Sequence, residues 1–232
     1  MLHNQFIFDH KDNKMVFVFM PMFAMAPMVP PYHPHQHLLH QQEYLFMMKS
    51  RWMFPGDNIL KLNTDGSSIG SPGPSSFGGL IRDSKGTWVC GYMGNITTRW
   101  CTSLEAEIWS VYRGLCLISD KNLSNVLIET DCQAVLMLGL EVLDTRHPWK
   151  SVMDAINMIM RDQKCTMVHT RRDGNYCADL LAKLGSTQFE EYIKLEEPPI
   201  LLKQYLLQDI EAAFEFQKNN HFFTENINNG QC

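Results

Sequence analysis

Asn125 to Thr130, "NVLIET", is the segment that most restricts what this chain can fold into. It is a short apolar run, suited to a buried strand, and "DCQAVLMLGLEVL" turns helical directly after it. A strand that leaves at once into a helix must come back to the sheet by a parallel crossover. The chain before it has a different pattern. The strand-like run "ILKLNTD" at 59–65 is followed by the loop "GSSIGSPGPSS", then by "FGGLIRD" and "GTWVCGYMG", joined through Asp83-Ser84-Lys85-Gly86. Those three runs read as an antiparallel meander. Thr102 or Ser103 can cap a helix to about Ser119, with Leu104, Ile108, Val111 and Leu115 on one face. A helix from about Trp149 to Arg161, a strand "CTMVHT" and a helix from about Asn175 to Leu184 complete the order. The expected fold is α/β: a mixed five-stranded sheet, three strands antiparallel and two parallel, with helices on both faces.

Acidic residues fall at telling places on that frame. Asp65 ends the first strand, Asp131 the fourth, Glu107 lies in the first helix, and Asp179 lies near the start of the last. If the first and fourth strands are neighbours, Asp65 and Asp131 meet at one edge of the sheet. Gathered carboxylates repel unless cations neutralise them, and hard oxygen donors suit magnesium or manganese better than zinc. Gly66, directly after Asp65, permits a sharp turn or a close approach from outside the chain.

The remaining sequence divides into three parts: a Met/Pro/His-rich leader over 1–57, a regular domain over 58–189, and an acidic tail over 190–232. Met15–Pro31 is apolar, but Pro21, Pro27, Pro30 and Pro31 break it, so it reads neither as a membrane span nor, with Asp9 and Asp12 before it, as a secretory signal. His33, His35, His37 and His40 could share a metal ion, yet their Pro- and Gln-rich setting reads better as a disordered leader. The seven cysteines are odd in number and lack a C-x-x-C pair, which fits a reducing, intracellular setting, nuclear or cytoplasmic, rather than secretion. The net charge of −5 belongs to the tail, where three Lys or Arg oppose eight Asp or Glu; the central domain is balanced, so a nucleic-acid partner is not excluded. Leu202, Leu206, Ile210 and Phe214 lie at helical spacing in the tail, as a core-packing or a partner-binding face.

"NTDGS" at 63–67, "AEIWSVYRGL" at 106–115, "ETDCQAV" at 129–135 and "NYCADLLAKLG" at 175–185 resemble, in order and spacing, the four motifs of ribonuclease H type 1, in its retroelement-derived branch common in plant genomes. The resemblance covers about Leu60 to Gly185. It implies a ribonuclease H-like fold and an endonuclease that hydrolyses the RNA strand of RNA/DNA hybrids. Asp65, Glu107, Asp131 and Asp179 would hold two Mg2+ ions, which Mn2+ could replace. Helical phase does not choose between Glu105 and Glu107; the family pattern selects Glu107, leaving Glu105 as a helix-start acid. The resemblance gives His169 a proton-transfer role, and makes Gln133 a minor-groove contact. Gly66, Ser67, Arg171 and Asn175 would meet nucleic acid, with Gly66 admitting phosphate and Arg172 beside Arg171 facing it too. Two features depart from well-known members: there is no Lys/Trp-rich insertion between Asp131 and Cys165, and no Tyr-x-Asp-Asp polymerase signature. The alternatives are a catalytically silent, retroelement-derived nucleic-acid-binding domain, or an interaction module acting through the tail, from which deletion of Glu190 onward would leave nuclease activity intact.

Overall fold

A computed structural model describes residues 3–9, 14–20 and 52–228. The central sheet contains β3 (Leu60–Ser68), β4 (Gly73–Arg82), β5 (Trp88–Cys101), β6 (Val126–Thr130), β7 (Thr166–His169) and β8 (Ile193–Leu195). Its spatial order is β7-β6-β3-β4-β5-β8. The meander β3-β4-β5 is antiparallel, and β6 and β7 add in parallel beside β3, as the strand–helix alternation requires. Among the described residues the sheet has six strands, one more than expected. The extra strand, β8, pairs antiparallel with Gly91–Met93 of β5, and three residues are too few to show a strand period in sequence. Apart from this sheet, β1 (His3–Asp9) and β2 (Lys14–Met20) pair antiparallel, with His3 opposite Met20. The His33–His40 tract lies outside the described residues.

Among the described residues, five α-helices accompany the strands: α1 (Ser103–Asp120), α2 (Gln133–Leu140), α3 (Lys150–Asp162), α4 (Tyr176–Gly185) and α5 (Ile200–Asn228). On one face, Ile108, Val111 and Leu115 of α1 and Met153, Ile156 and Met160 of α3 bury against Leu62, Ile81, Tyr92 and Ile128. On the other, Leu181 of α4 and Leu202 and Leu206 of α5 close over Leu80. Each fully buried Leu contributes about 1.5–3 kcal/mol. The tail expected at 190–232 thus supplies a strand and a packed helix. Trp52, within the leader boundary at 57, is likewise buried. The six cysteines among the described residues are free thiols, Cys90, Cys101, Cys165 and Cys177 of them buried.

Two neighbouring contacts determine how closely the helices lie on the sheet. Asp65 pairs with Gly78 across β3 and β4, and Gly66 with Phe77. A Cβ on Gly66 would stand 2.3 Å from the Glu107 nitrogen of α1, and one on Gly78 would stand 2.3 Å from the Ala182 nitrogen of α4. The absence of side chains at these two positions lets both helices come down onto the sheet beside Asp65.

Candidate active site

Asp65 does not end its strand. β3 runs on to Ser68 in its pairing with β4, whereas its parallel pairing with β6 stops at Thr64 opposite Thr130. Asp65 and Asp131 therefore sit just beyond the carboxyl end of the parallel pair, where open α/β sheets leave a crevice. Glu107 comes to the same place from α1. Its Oε2 accepts a hydrogen bond from the Gly66 backbone N–H at 3.0 Å. That contact corrects the expected role of Gly66: the space over its Cα is filled by the backbone of α1, not left open for phosphate.

Asp65, Glu107 and Asp131 each offer an oxygen within 4.8 Å of the other two. Burial pushes the Asp65 carboxyl up to about 9, with Glu107, Asp131 and Asp179 adding repulsion. Burial and then Asp131 push Glu107 up to about 8, against the pull of the Gly66 N–H. Asp179 stands outside this tight group. Its Oδ2 accepts from Lys183 Nζ at 2.6 Å, one helical turn on, and the carboxylate is one-third exposed.

The folded values of Asp65 and Glu107 lie above their unfolded ones, so both favour the protonated folded state. Their contribution to stability is complete below about pH 4 and is lost as pH rises through about 8 and 9. With chelator present, Asp65→Asn is expected to raise stability at pH 8 by roughly 1–3 kcal/mol, and to leave it nearly unchanged at pH 4. Urea denaturation of both proteins at the two pH values measures this; equal differences at both would contradict it.

Glu105 serves a separate purpose. Its Oε2 accepts from the Thr102 backbone N–H at 2.8 Å while the Thr102 hydroxyl accepts from Glu105 N–H at 3.2 Å, a reciprocal cap that begins α1. Arg99 holds its other oxygen at 2.8 Å. Cap and carboxylate cluster thus use different faces of the same turn.

His169 lies at the end of β7 with Nε2 3.2 Å from the Asp131 carbonyl oxygen. It lines an open cleft with Asp131, Thr170, Arg171, Arg172 and Asp173. Arg172 reaches the acids, its Nε 3.5 Å from Asp131 Oδ2, while Arg171 turns toward Asp173 at 3.5 Å. Gln133 is exposed at the first turn of α2, two residues past Asp131, and Ser67 is half-buried on β3. Asn175 departs from its expected nucleic-acid contact. It is buried, and its amide donates to the Thr64 carbonyl at 2.9 Å and approaches Asp131 Oδ1 at 3.5 Å. A buried amide already bonded to backbone supports the site from below.

Asn63 is a participant that sequence reasoning missed. The signal was slight: Lys61, Asn63 and Asp65 are polar at alternating positions of a strand whose other face begins with Leu60 and Leu62.

The model of a family described as reverse transcriptase-like matches residues 63–185, more than half of the chain and all four candidate acids. The chain belongs to this reverse-transcriptase-like family. Among relatives, an Arabidopsis thaliana protein bearing a provisional ribonuclease H name is 33% identical over 159 residues, 68% of this chain and 25% of that one. The chain therefore spans about a quarter of the length of this curated relative. Among solved structures, LC9-RNase H1, a type 1 ribonuclease H with the type 2 active-site motif, aligns with a TM-score of 0.50 at 13% identity, over 68% of this chain and 86% of that one. LC11-RNase H1, isolated from compost, aligns at 0.48 with 25% identity, over 55% and 95%. The fold of this reverse-transcriptase-like domain is ribonuclease H-like. No helix among the described residues is long and apolar enough to cross a membrane.

Proposed function

We propose that this chain is a metal-dependent endonuclease that hydrolyses the RNA strand of RNA/DNA hybrids. The observation that carries the reading is the meeting of Asp65, Glu107 and Asp131 within 4.8 Å, inside the segment matched by the family. The donor set fits hard divalent ions. It consists of carboxylate oxygens alone, and the buried, mutually repelling pair Asp65 and Glu107 gains most from a neighbouring cation. Asp65, Glu107 and Asp131 would hold two Mg2+ or Mn2+ ions, with Asp179 joining once it leaves Lys183. Bound there, such ions supply water activation and stabilisation of the leaving oxygen in in-line displacement.

The protein's own groups arrange the rest. The Gly66 N–H orients Glu107, and Asn175 supports Asp131 from beneath. His169, in the open cleft, would accept or deliver a proton. Arg172 and Arg171 offer guanidinium groups to backbone phosphates along the rim, and exposed Gln133 offers an amide to a base edge or a 2′-hydroxyl.

The test is cleavage of an end-labelled RNA/DNA hybrid beside duplex RNA and duplex DNA, with magnesium or manganese. Hybrid-selective, metal-dependent cutting is expected, and Asp131→Asn should lower its rate by about 10²–10³-fold or more. Folded protein that binds the hybrid yet cuts nothing under these conditions would overturn the reading in favour of a silent nucleic-acid-binding domain.

A further inference from the structure

Arg82, at the end of β4, is completely buried. A guanidinium has no accessible neutral form, so a buried one needs a counter-charge. Asp209 supplies it from α5, 127 residues further along, with Arg82 Nη1 donating to Oδ2 at 2.7 Å. The Arg82 plane also stacks on Trp52, its central carbon 3.7 Å from the ring centre. Its Nη2 donates to Asn63 Oδ1 at 3.0 Å, and Trp52 Nε1 donates to the same oxygen at 3.0 Å.

These two donors fix which way round the Asn63 amide sits. Guanidinium and indole nitrogens only donate, so the atom that Asn63 turns toward them must be its oxygen. The Asn63 amide nitrogen then faces the other way, donating to Glu129 Oε2 at 2.9 Å and to Asn175 Oδ1 at 3.3 Å. Asn175 is left with its own nitrogen for the Thr64 carbonyl at 2.9 Å and Asp131 Oδ1 at 3.5 Å. Were Asn63 to turn over, its oxygen would confront Glu129 Oε2 and Asn175 Oδ1, since the Thr64 carbonyl holds the Asn175 nitrogen where it is. Four buried side chains, Asp209, Arg82, Asn63 and Asn175, thus have one workable hydrogen-bond polarity, and it ends on a candidate metal ligand.

We infer that Asp209 of the C-terminal helix is a positioning residue for the carboxylate site, acting through Arg82, Asn63 and Asn175 to hold Asp131 in its cation-binding orientation. The inference rests on the proposed metal-dependent reading of that site. It gives the C-terminal segment a role in the chemistry through a relay of side chains rather than by direct contact with the acids. Partners of metal ligands typically change metal affinity by about 10–100-fold, and the lower end suits a chain this indirect.

The experiment compares the full chain with Asp209→Asn and with the double variant Arg82→Met, Asp209→Leu. The double variant removes both charges together and guards against an unfolded single variant. Circular dichroism establishes folding, calorimetric titration with Mn2+ gives affinity, and hybrid cleavage across a Mg2+ series gives the half-maximal concentration. Both folded variants are expected to bind Mn2+ about tenfold more weakly and to need correspondingly more Mg2+, while the rate at saturating Mg2+ stays near that of the parent. A folded variant with parental Mn2+ affinity and Mg2+ dependence, whatever its melting temperature, would overturn the inference and leave Asp209 a structural residue. If the parent binds Mn2+ but does not cut the hybrid, the nuclease reading fails while the titration still decides this one. A parent that binds no Mn2+ overturns both.

Discussion

A chain that stops at Phe189 is expected to lose its cooperative fold, not merely a tail. Removing Glu190 onward takes away β8 and α5, and with α5 goes Asp209, the counter-charge of Arg82. An uncompensated buried guanidinium costs about 3–5 kcal/mol. Leu80 and Leu181 would also lose Leu202 and Leu206, which cover them, and each buried Leu is worth about 1.5–3 kcal/mol. Against a total stability of about 5–15 kcal/mol, little or nothing is left. The truncated chain should therefore show no sharp thermal transition, and should be digested by protease where the full chain resists. A truncated protein that melts cooperatively within a few degrees of the parent would show that α5 is dispensable. This is the reverse of what an appended interaction module would do, since deleting such a module leaves the rest folded.

The sheet and the acids were legible because each rests on a local pattern. "NVLIET" running straight into a helix demands a parallel neighbour, and β6 does lie beside β3 in parallel, which brings Asp131 to Asp65. Less was visible at the ends of strands. Asp65 followed by Gly66 reads as a terminus, yet β3 continues because β4 pairs with it for longer than β6 does. Sequence shows a strand's own period, not where each of its two partners stops. The supports of the site were hidden for a related reason. Nothing local in "LKLNTD" says that Asn63 joins Arg82 to Asn175, nor that an Asp in an apparent tail completes a buried pair 127 residues away. Side-chain polarity can be read from sequence; the partner that satisfies it, across long separations, cannot.

Gly66→Ala carries the other large expectation, because the added methyl meets backbone and not a side chain that can swing away. Its Cβ would stand 2.3 Å from the Ala106 carbonyl carbon and the Glu107 nitrogen, and 2.6 Å from the Ala106 oxygen. Either β3 or α1 must move by roughly 1 Å to reach ordinary contact, and packing of this kind typically costs about 1–3 kcal/mol or more. The melting temperature should fall by roughly 5–10 °C for a domain of this size. Any such movement also separates Gly66 N–H from Glu107 Oε2, now 3.0 Å apart, and carries Glu107 away from Asp65 and Asp131. Loss of Mn2+ binding and of hybrid cleavage should therefore accompany the drop in stability. Gly56→Ala makes a useful contrast, since its Cβ would meet only the tip of the Ile59 side chain, at 3.2 Å, which can rotate aside. Thermal melts and Mn2+ titration of the two variants side by side test the idea. Should Gly66→Ala melt and bind as Gly56→Ala does, the close seating of α1 on β3 cannot be what places Glu107.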